Sequence, residues 1–290
     1  MSGNLPASIR ARLKNHADAT GQDFNLILTR YGLERLMFRL SQSAHAPHFL
    51  LKGALAFGLW FDLPHRPTRD ADLLGFGDDN PETIAAIFRE LCALVFPDGL
   101  VFDASTVQAR ESRMNKNYGG VQVGLRASLA GARIDLHIDI GFGDVVTPPV
   151  THAVEYPVLL ADLPAPRLRV YPRETVFAEK LEAIASLGMA NSRMKDYFDL
   201  LALAREDAMA PDVLARAIGA TFARRRTDLP DGMPIGLTER FAADAEKQKQ
   251  WQAFIKRNRL DAPALGEVVA ELATFSHASL VRAAAIRGGD

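Results

Sequence analysis

Two runs of strictly alternating residues constrain this chain more than any other feature. In "GVQVGLRASLAGARIDLHIDIGFGD", residues 120–144, Val121, Val123 and Leu125 recur at every second position. After the turn-like "AGA", Ile134, Leu136, Ile138 and Ile140 do the same. A period of two is that of a strand with one buried face, so residues 119–129 and 132–140 are expected to be strands separated by a turn. The same rule sets Asp135, His137 and Asp139 together on the opposite face of the second strand. From Glu174 onward the period changes. Residues 174–188, 193–206, 211–224, 238–257 and 264–286 read as helices. A sheet-bearing first half and a helical second half predict an α+β chain, with an N-terminal lobe over 1–150 and a C-terminal lobe over 151–290, joined through the proline-rich stretch near 150–172.

The other elements of the first half follow from local signals. Residues 21–44 carry apolar side chains at helical spacing. "HFLLKG" (48–53) reads as a short strand ending in glycine, with "ALAFGLWF" as a helix after it. Residues 80–95 form a helix, with Asn80 placed to cap it and Pro81 at its first position. Residues 100–109 add a further strand. At 290 residues, 48% hydrophobic and a net charge of −1, the chain has the composition of an ordinary globular protein. Its single cysteine, Cys92, excludes an internal disulfide and fits a reducing compartment. No leader is apparent, and no apolar run approaches the roughly 18 residues of a membrane span. The expected location is cytoplasmic, with no membrane partner.

The candidate chemistry begins at "RPTRDADLLGFG" (66–77). Alternation puts Asp70 and Asp72 on one side of a strand. With Asp139 from a second strand they make an oxygen-rich site suited to a hard divalent cation, magnesium above all. A solvated acidic face would read the same way, and DxD occurs in many unrelated enzymes. On the helix "ETVFAEKLEAIASLG", Lys180 falls within the apolar stripe of Val176, Phe177, Leu181 and Ile184. It either snorkels outward or serves as a charge clamp beside an acidic or phosphate-bearing site. As a clamp, its exchange in Lys180→Met should weaken binding of the phosphate-bearing ligand and leave stability unchanged or raised, since a half-buried charge is costly to keep. In "SRMKDYFDLLAL", a helix expected to be capped by Ser192, Asp196 and Asp199 are either surface residues or, for Asp196, a partner facing Lys180. Gly53, between strand and helix, is a candidate phosphate contact. The seven histidines show no metal-ligand spacing. The basic "ARRR" (223–226) and "KQKQWQAFIKRNR" (247–259), the latter with Trp251 and Phe254, suit a nucleic-acid backbone or an ordinary solvated helix face.

Four segments in order, "LLKGALAFGLWFDLPHRPTRDADL", "ARIDLHIDIGFGDVVTPP", "VYPRETVFAEKLEAI" and "SRMKDYFDLLAL", resemble the AbiEii/AbiGii nucleotidyltransferase toxins of type IV toxin–antitoxin and abortive-infection systems. The resemblance implies a DNA polymerase β-like nucleotidyltransferase core, a mixed sheet with flanking helices, followed by a helical C-terminal part. It implies Asp70, Asp72 and Asp139 as ligands of Mg2+, with Asp139 also helping to activate the attacking hydroxyl. Lys180 and the Gly53–Ala54 turn would contact the nucleotide, and Asp196 would be an essential motif residue. Where the family has Gly-Ser or Gly-Gly, this chain has Gly53-Ala54, which leaves only backbone N–H groups for a phosphate.

The implied activity is transfer of a nucleotide from an NTP to an RNA acceptor, the tRNA 3′ end, which blocks translation; a cognate antitoxin is the implied partner. Rival readings are an NTP- or RNA-binding module with little catalysis, nucleotidylation of a protein acceptor, and a DxD glycosyltransferase. The last would not require the "EKLEAI…KDYFDL" helix pair.

Overall fold

A computed structural model describes residues 4–61, 66–112, 119–206 and 208–288. Backbone contacts divide the chain into two compact units, Met1–Gly143 with Thr151–Val170 and Asp144–Val150 with Tyr171–Asp290.

The first unit is a five-stranded mixed sheet backed by helices. In chain order its elements are α1 (Leu5–Thr20), α2 (Phe24–Ser41), β1 (Phe49–Lys52), α3 (Gly53–Ala56), β2 (Asp70–Gly75), α4 (Pro81–Ala93), β3 (Leu100–Glu111), β4 (Gly120–Leu129) and β5 (Ala132–Phe142), with a small ribbon of β6 (Val154–Glu155) and β7 (Arg167–Leu168). The strand order is β1-β2-β5-β4-β3. β2 runs parallel to β5, and the other neighbouring pairs are antiparallel. The expected alternation is realised: Val121, Val123, Leu125, Ile134, Leu136, Ile138 and Ile140 are all buried, while Asp135 and His137 are exposed. The turn between β4 and β5 is Ala130-Gly131, both at positive φ (46° and 80°). Such a turn matches the twist of the two strands.

Helices α1, α2 and α4 pack against this sheet and one another. α2 approaches β5 closely, since a Cβ on Gly32 would lie 3.0 Å from Leu136 Cδ2. Asn80 caps α4 as expected, accepting from the Glu82 N–H at 2.8 Å. α1, beyond the helices expected above, has Ile9, Leu13 and Ala17 buried along one face and Asn4 as its cap. The buried charges of α2 are paired. Arg39 forks onto Asp98 (2.6 and 3.2 Å) and Arg35 meets Glu34 at 3.0 Å.

The second unit is helical: α5 (Arg173–Leu187), α6 (Met194–Arg205), α7 (Pro211–Arg225), α8 (Glu239–Ala242), α9 (Ala245–Asn258) and α10 (Leu265–Gly288). Two expectations are corrected here. The single helix anticipated over 238–257 is two, because Asp244 caps a new helix by accepting from the N–H groups of Glu246 and Lys247. Ser192 does not cap α6; Arg193 occupies that position without a side-chain capping bond, while Asn191 accepts from the Arg193 N–H at 2.8 Å. No helix among the described residues is long and apolar enough to cross a membrane.

Candidate active site

The first unit gathers its carboxylates by strand register. Asp72 is the Cα partner of Asp139, and Asp70 is that of His137. Paired positions on neighbouring strands share a face, so Asp70, Asp72 and Asp139 lie on one side of the sheet, opposite the apolar core. Asp70 is exposed, and Asp72 and Asp139 are half-buried. The register extends across all five strands: Lys52 on β1, Asp72 on β2, Asp139 on β5, Gln122 on β4 and Arg110 on β3 form one lateral row.

Gly53 follows Lys52 directly and has φ +68°. A Cβ there would fall 1.8 Å from Asp72 Oδ2 and 2.5 Å from its Cγ. The glycine is therefore required twice over, by its backbone conformation and by the carboxylate that occupies the space of a side chain. This role was hidden in the sequence, where Gly53 suggested only a phosphate contact. Ala54 follows it in α3, a single helical turn.

Among the described residues no three His, Cys, Asp or Glu side chains form a ready-made metal cage. The donor set nonetheless fits a hard divalent cation. It consists of carboxylate oxygens alone, with two of the three residues side by side in register. An ion of the magnesium class takes one or two carboxylates and completes its shell with water and substrate phosphate.

In the second unit Lys180 and Asp196 meet. Lys180 Nζ lies 2.8 Å from Asp196 Oδ1 and 2.8 Å from Asp199 Oδ2. Both aspartates have side chains at 0% exposure, so neither is the surface residue that helical spacing allowed. Arg193 Nε sits 2.6 Å from Asp196 Oδ2, an ion pair that lacks hydrogen-bond geometry. Burial pushes the Asp196 carboxyl upward, but Lys180 and Arg193 outweigh it and hold the group below the usual aspartate range. Lys180 does not snorkel; it is the counter-ion of two buried carboxylates. Lys180→Met is therefore expected to lower stability rather than spare it, because it removes the counter-ion that two buried carboxylates share.

The basic stretches are also corrected. Arg225 of "ARRR" is inserted among Glu182 (2.9 Å), Glu179 (3.2 Å) and Asp144 (3.5 Å). Thr227 donates to the second Glu182 oxygen at 2.6 Å. In α9, Trp251 is buried and donates to the Pro263 carbonyl at 3.0 Å, so it is not available to stack on a base. Lys247 is buried too and donates to the Asn191 carbonyl at 2.9 Å. Lys249, Lys256 and Arg257 stay exposed.

A mixed sheet with paired carboxylates on one face and helices packed on its apolar face is the architecture of a nucleotidyltransferase core. The sequence matches, over residues 35–278, the family described as nucleotidyl transferase AbiEii toxin, type IV toxin–antitoxin system. The chain belongs to that family and is a nucleotidyltransferase. Family membership implies an NTP substrate and an antitoxin partner. Among solved structures it is similar to JHP933 from Helicobacter pylori, at 15% identity and a TM-score of 0.50, covering 91% of this chain and 94% of that one. A second Helicobacter pylori structure gives 16% identity, a TM-score of 0.48 and coverage of 91% and 97%. No curated protein matches the sequence.

Proposed function

We propose that the chain transfers a nucleoside monophosphate from an NTP to an RNA acceptor, the tRNA 3′ end, and so inhibits translation in the cytoplasm. The observation that carries this reading is the pairing of Asp72 with Asp139 in register, with Asp70 on the same face and Gly53 making room for the Asp72 carboxylate. Asp70, Asp72 and Asp139 would hold Mg2+. When bound, the ion neutralises charge on the transferring phosphoryl group and orients the attacking hydroxyl.

The chain's own residues do the rest. Asp139, with one oxygen engaged by Gln122 (2.9 Å), accepts the proton of the attacking hydroxyl. Backbone N–H groups after Gly53 serve the triphosphate in place of the hydroxyl that Ala54 lacks. Lys180 and Asp196 act as a unit: two carboxylates hold the lysine at a fixed place, and the motif they form is the one the family uses toward the nucleotide. The bond formed joins the acceptor hydroxyl oxygen to the α-phosphorus, the bond broken is that to the bridging oxygen, and pyrophosphate leaves.

The test is incubation with each of the four α-32P-labelled NTPs and Mg2+, with total tRNA in one arm and total protein in the other. Label in tRNA, lost in Asp72→Asn, supports the reading. Label in protein alone replaces the acceptor, and label in neither leaves a nucleotide- or RNA-binding module.

A further inference from the structure

The lateral row on the sheet contains a polar chain whose outer members no role has yet claimed. Arg110 Nε donates to Gln122 Oε1 at 3.0 Å, and its Nη2 donates to the same oxygen. Gln122 Nε2 in turn donates to Asp139 Oδ1 at 2.9 Å. Among the described residues this is the hydrogen bond that the Asp139 carboxylate accepts from a side chain. The direction of the chain is forced. A guanidinium carries donors only, so the amide oxygen of Gln122 must face Arg110 and its NH2 must face Asp139. The flipped amide would set NH2 against guanidinium and oxygen against carboxylate. Arg110 therefore selects the amide orientation that serves Asp139. The three residues are Cα partners on β3, β4 and β5, so they reach one another across the sheet face in simple register.

We propose that Gln122 is a positioning residue for Asp139, itself oriented by Arg110; this rests on the reading of Asp139 as a site carboxylate. Gln122 engages one oxygen, fixes the plane of the carboxylate beside Asp72, and leaves the second oxygen for the cation and the attacking hydroxyl. Outer partners of ligating carboxylates act in this way, and their loss typically costs about 10–100-fold in metal affinity or activity.

The experiment uses the full chain stripped of metal, with Mn2+ titrated by electron paramagnetic resonance, and in parallel the labelled-NTP transfer assay. Gln122→Leu should weaken Mn2+ binding and lower kcat by about 10–100-fold while leaving KM for the NTP unchanged. Arg110→Met should move both in the same direction by less, and Arg110→Lys, which keeps a donor against the amide oxygen, should restore them. A side chain that merely fills space would leave Mn2+ affinity and kcat untouched. Arg110 is exposed, so Arg110→Met carries the test even if Gln122→Leu fails to fold. Asp139→Asn is measured alongside. If it loses Mn2+ affinity and activity while Gln122→Leu and Arg110→Met keep parental values, the positioning proposal is overturned alone. If Asp139→Asn itself keeps parental values, the reading beneath it falls and the proposal with it. The Mn2+ arm needs no acceptor, so it decides whatever the transfer assay shows.

Discussion

The two units handle acidic side chains in opposite ways. On the sheet of the first, Asp70, Asp72 and Asp139 are exposed or half-buried and lie on one face by strand register. In the helices of the second, Asp196 and Asp199 are withdrawn from solvent altogether and share the ammonium of Lys180. A carboxylate in contact with water contributes little to folding. A buried carboxylate must be compensated, and removing its partner exposes the full desolvation cost. The difference teaches that the same residue type stands open to water in one unit and inside a buried ion-pair cluster in the other, and that substitutions should separate the two.

The largest separation is expected at Asp70. Asp70→Ala should reduce nucleotide transfer on the order of 10³-fold, equivalent to several kcal/mol of transition-state stabilisation. Its melting temperature should stay within about 2 °C of the parent, as for other surface changes. Lys180→Met should differ in kind, lowering stability as well as NTP binding. Removing the ammonium that Asp196 and Asp199 share costs about 3–5 kcal/mol of stability, read directly in thermal or urea unfolding. A Lys180→Met protein as stable as the parent would erase the contrast between the units. Gly53→Ala lies between them. It forces a Cβ into the space of the Asp72 carboxylate at a positive φ, and a displacement of about 1 Å at a reacting group costs about 10²-fold in rate. Unfolding should show a further loss of about 1–2 kcal/mol from the left-handed backbone.

The acid limb of stability gives a smaller effect. Asp196 binds its proton less readily folded than unfolded. The unfolded chain therefore holds more protons in the window just below the ordinary aspartate value of 3.8. The stability this residue contributes is complete above that value and is lost as pH falls through its lowered folded range. Melting curves from pH 5 down to 2.5 should show a shallower decline for Asp196→Asn than for the parent. The smallest effect belongs to α9. Reversing the charges of exposed Lys249, Lys256 and Arg257 should flatten the salt dependence of tRNA binding by up to about 0.9 per lost phosphate contact. Lys247 must be left intact, because it is buried and bonded to Asn191.

Much of this was legible in the sequence where the signal is local. The alternation around Ile134–Ile140, the Asn80 cap and the helix over 174–188 all depend on near neighbours. The meeting of Lys180 with Asp196 was one of two readings open from the helical pattern alone. What escaped depends on register between distant strands. Gln122 is a single polar residue between two valines, and nothing nearby shows that it stands beside Asp139. Gly53 reveals its second role only once β1 is laid antiparallel on β2 with Lys52 opposite Asp72. Arg225 and Trp251 misled for the complementary reason. Composition marks a residue as basic or aromatic, but burial against Glu179, Glu182 or Pro263 is decided by packing.

The most direct measurement is transfer of α-32P-labelled nucleotide to total tRNA by Asp72→Asn, with thermal unfolding of the same preparation. Asparagine keeps the shape of the side chain against Gly53 and removes only the charge. The account predicts a folded protein with a melting temperature near that of the parent and no detectable transfer. A folded Asp72→Asn protein that transfers nucleotide at the parental rate would contradict it, because the sheet-face carboxylates would then not be the site of the chemistry.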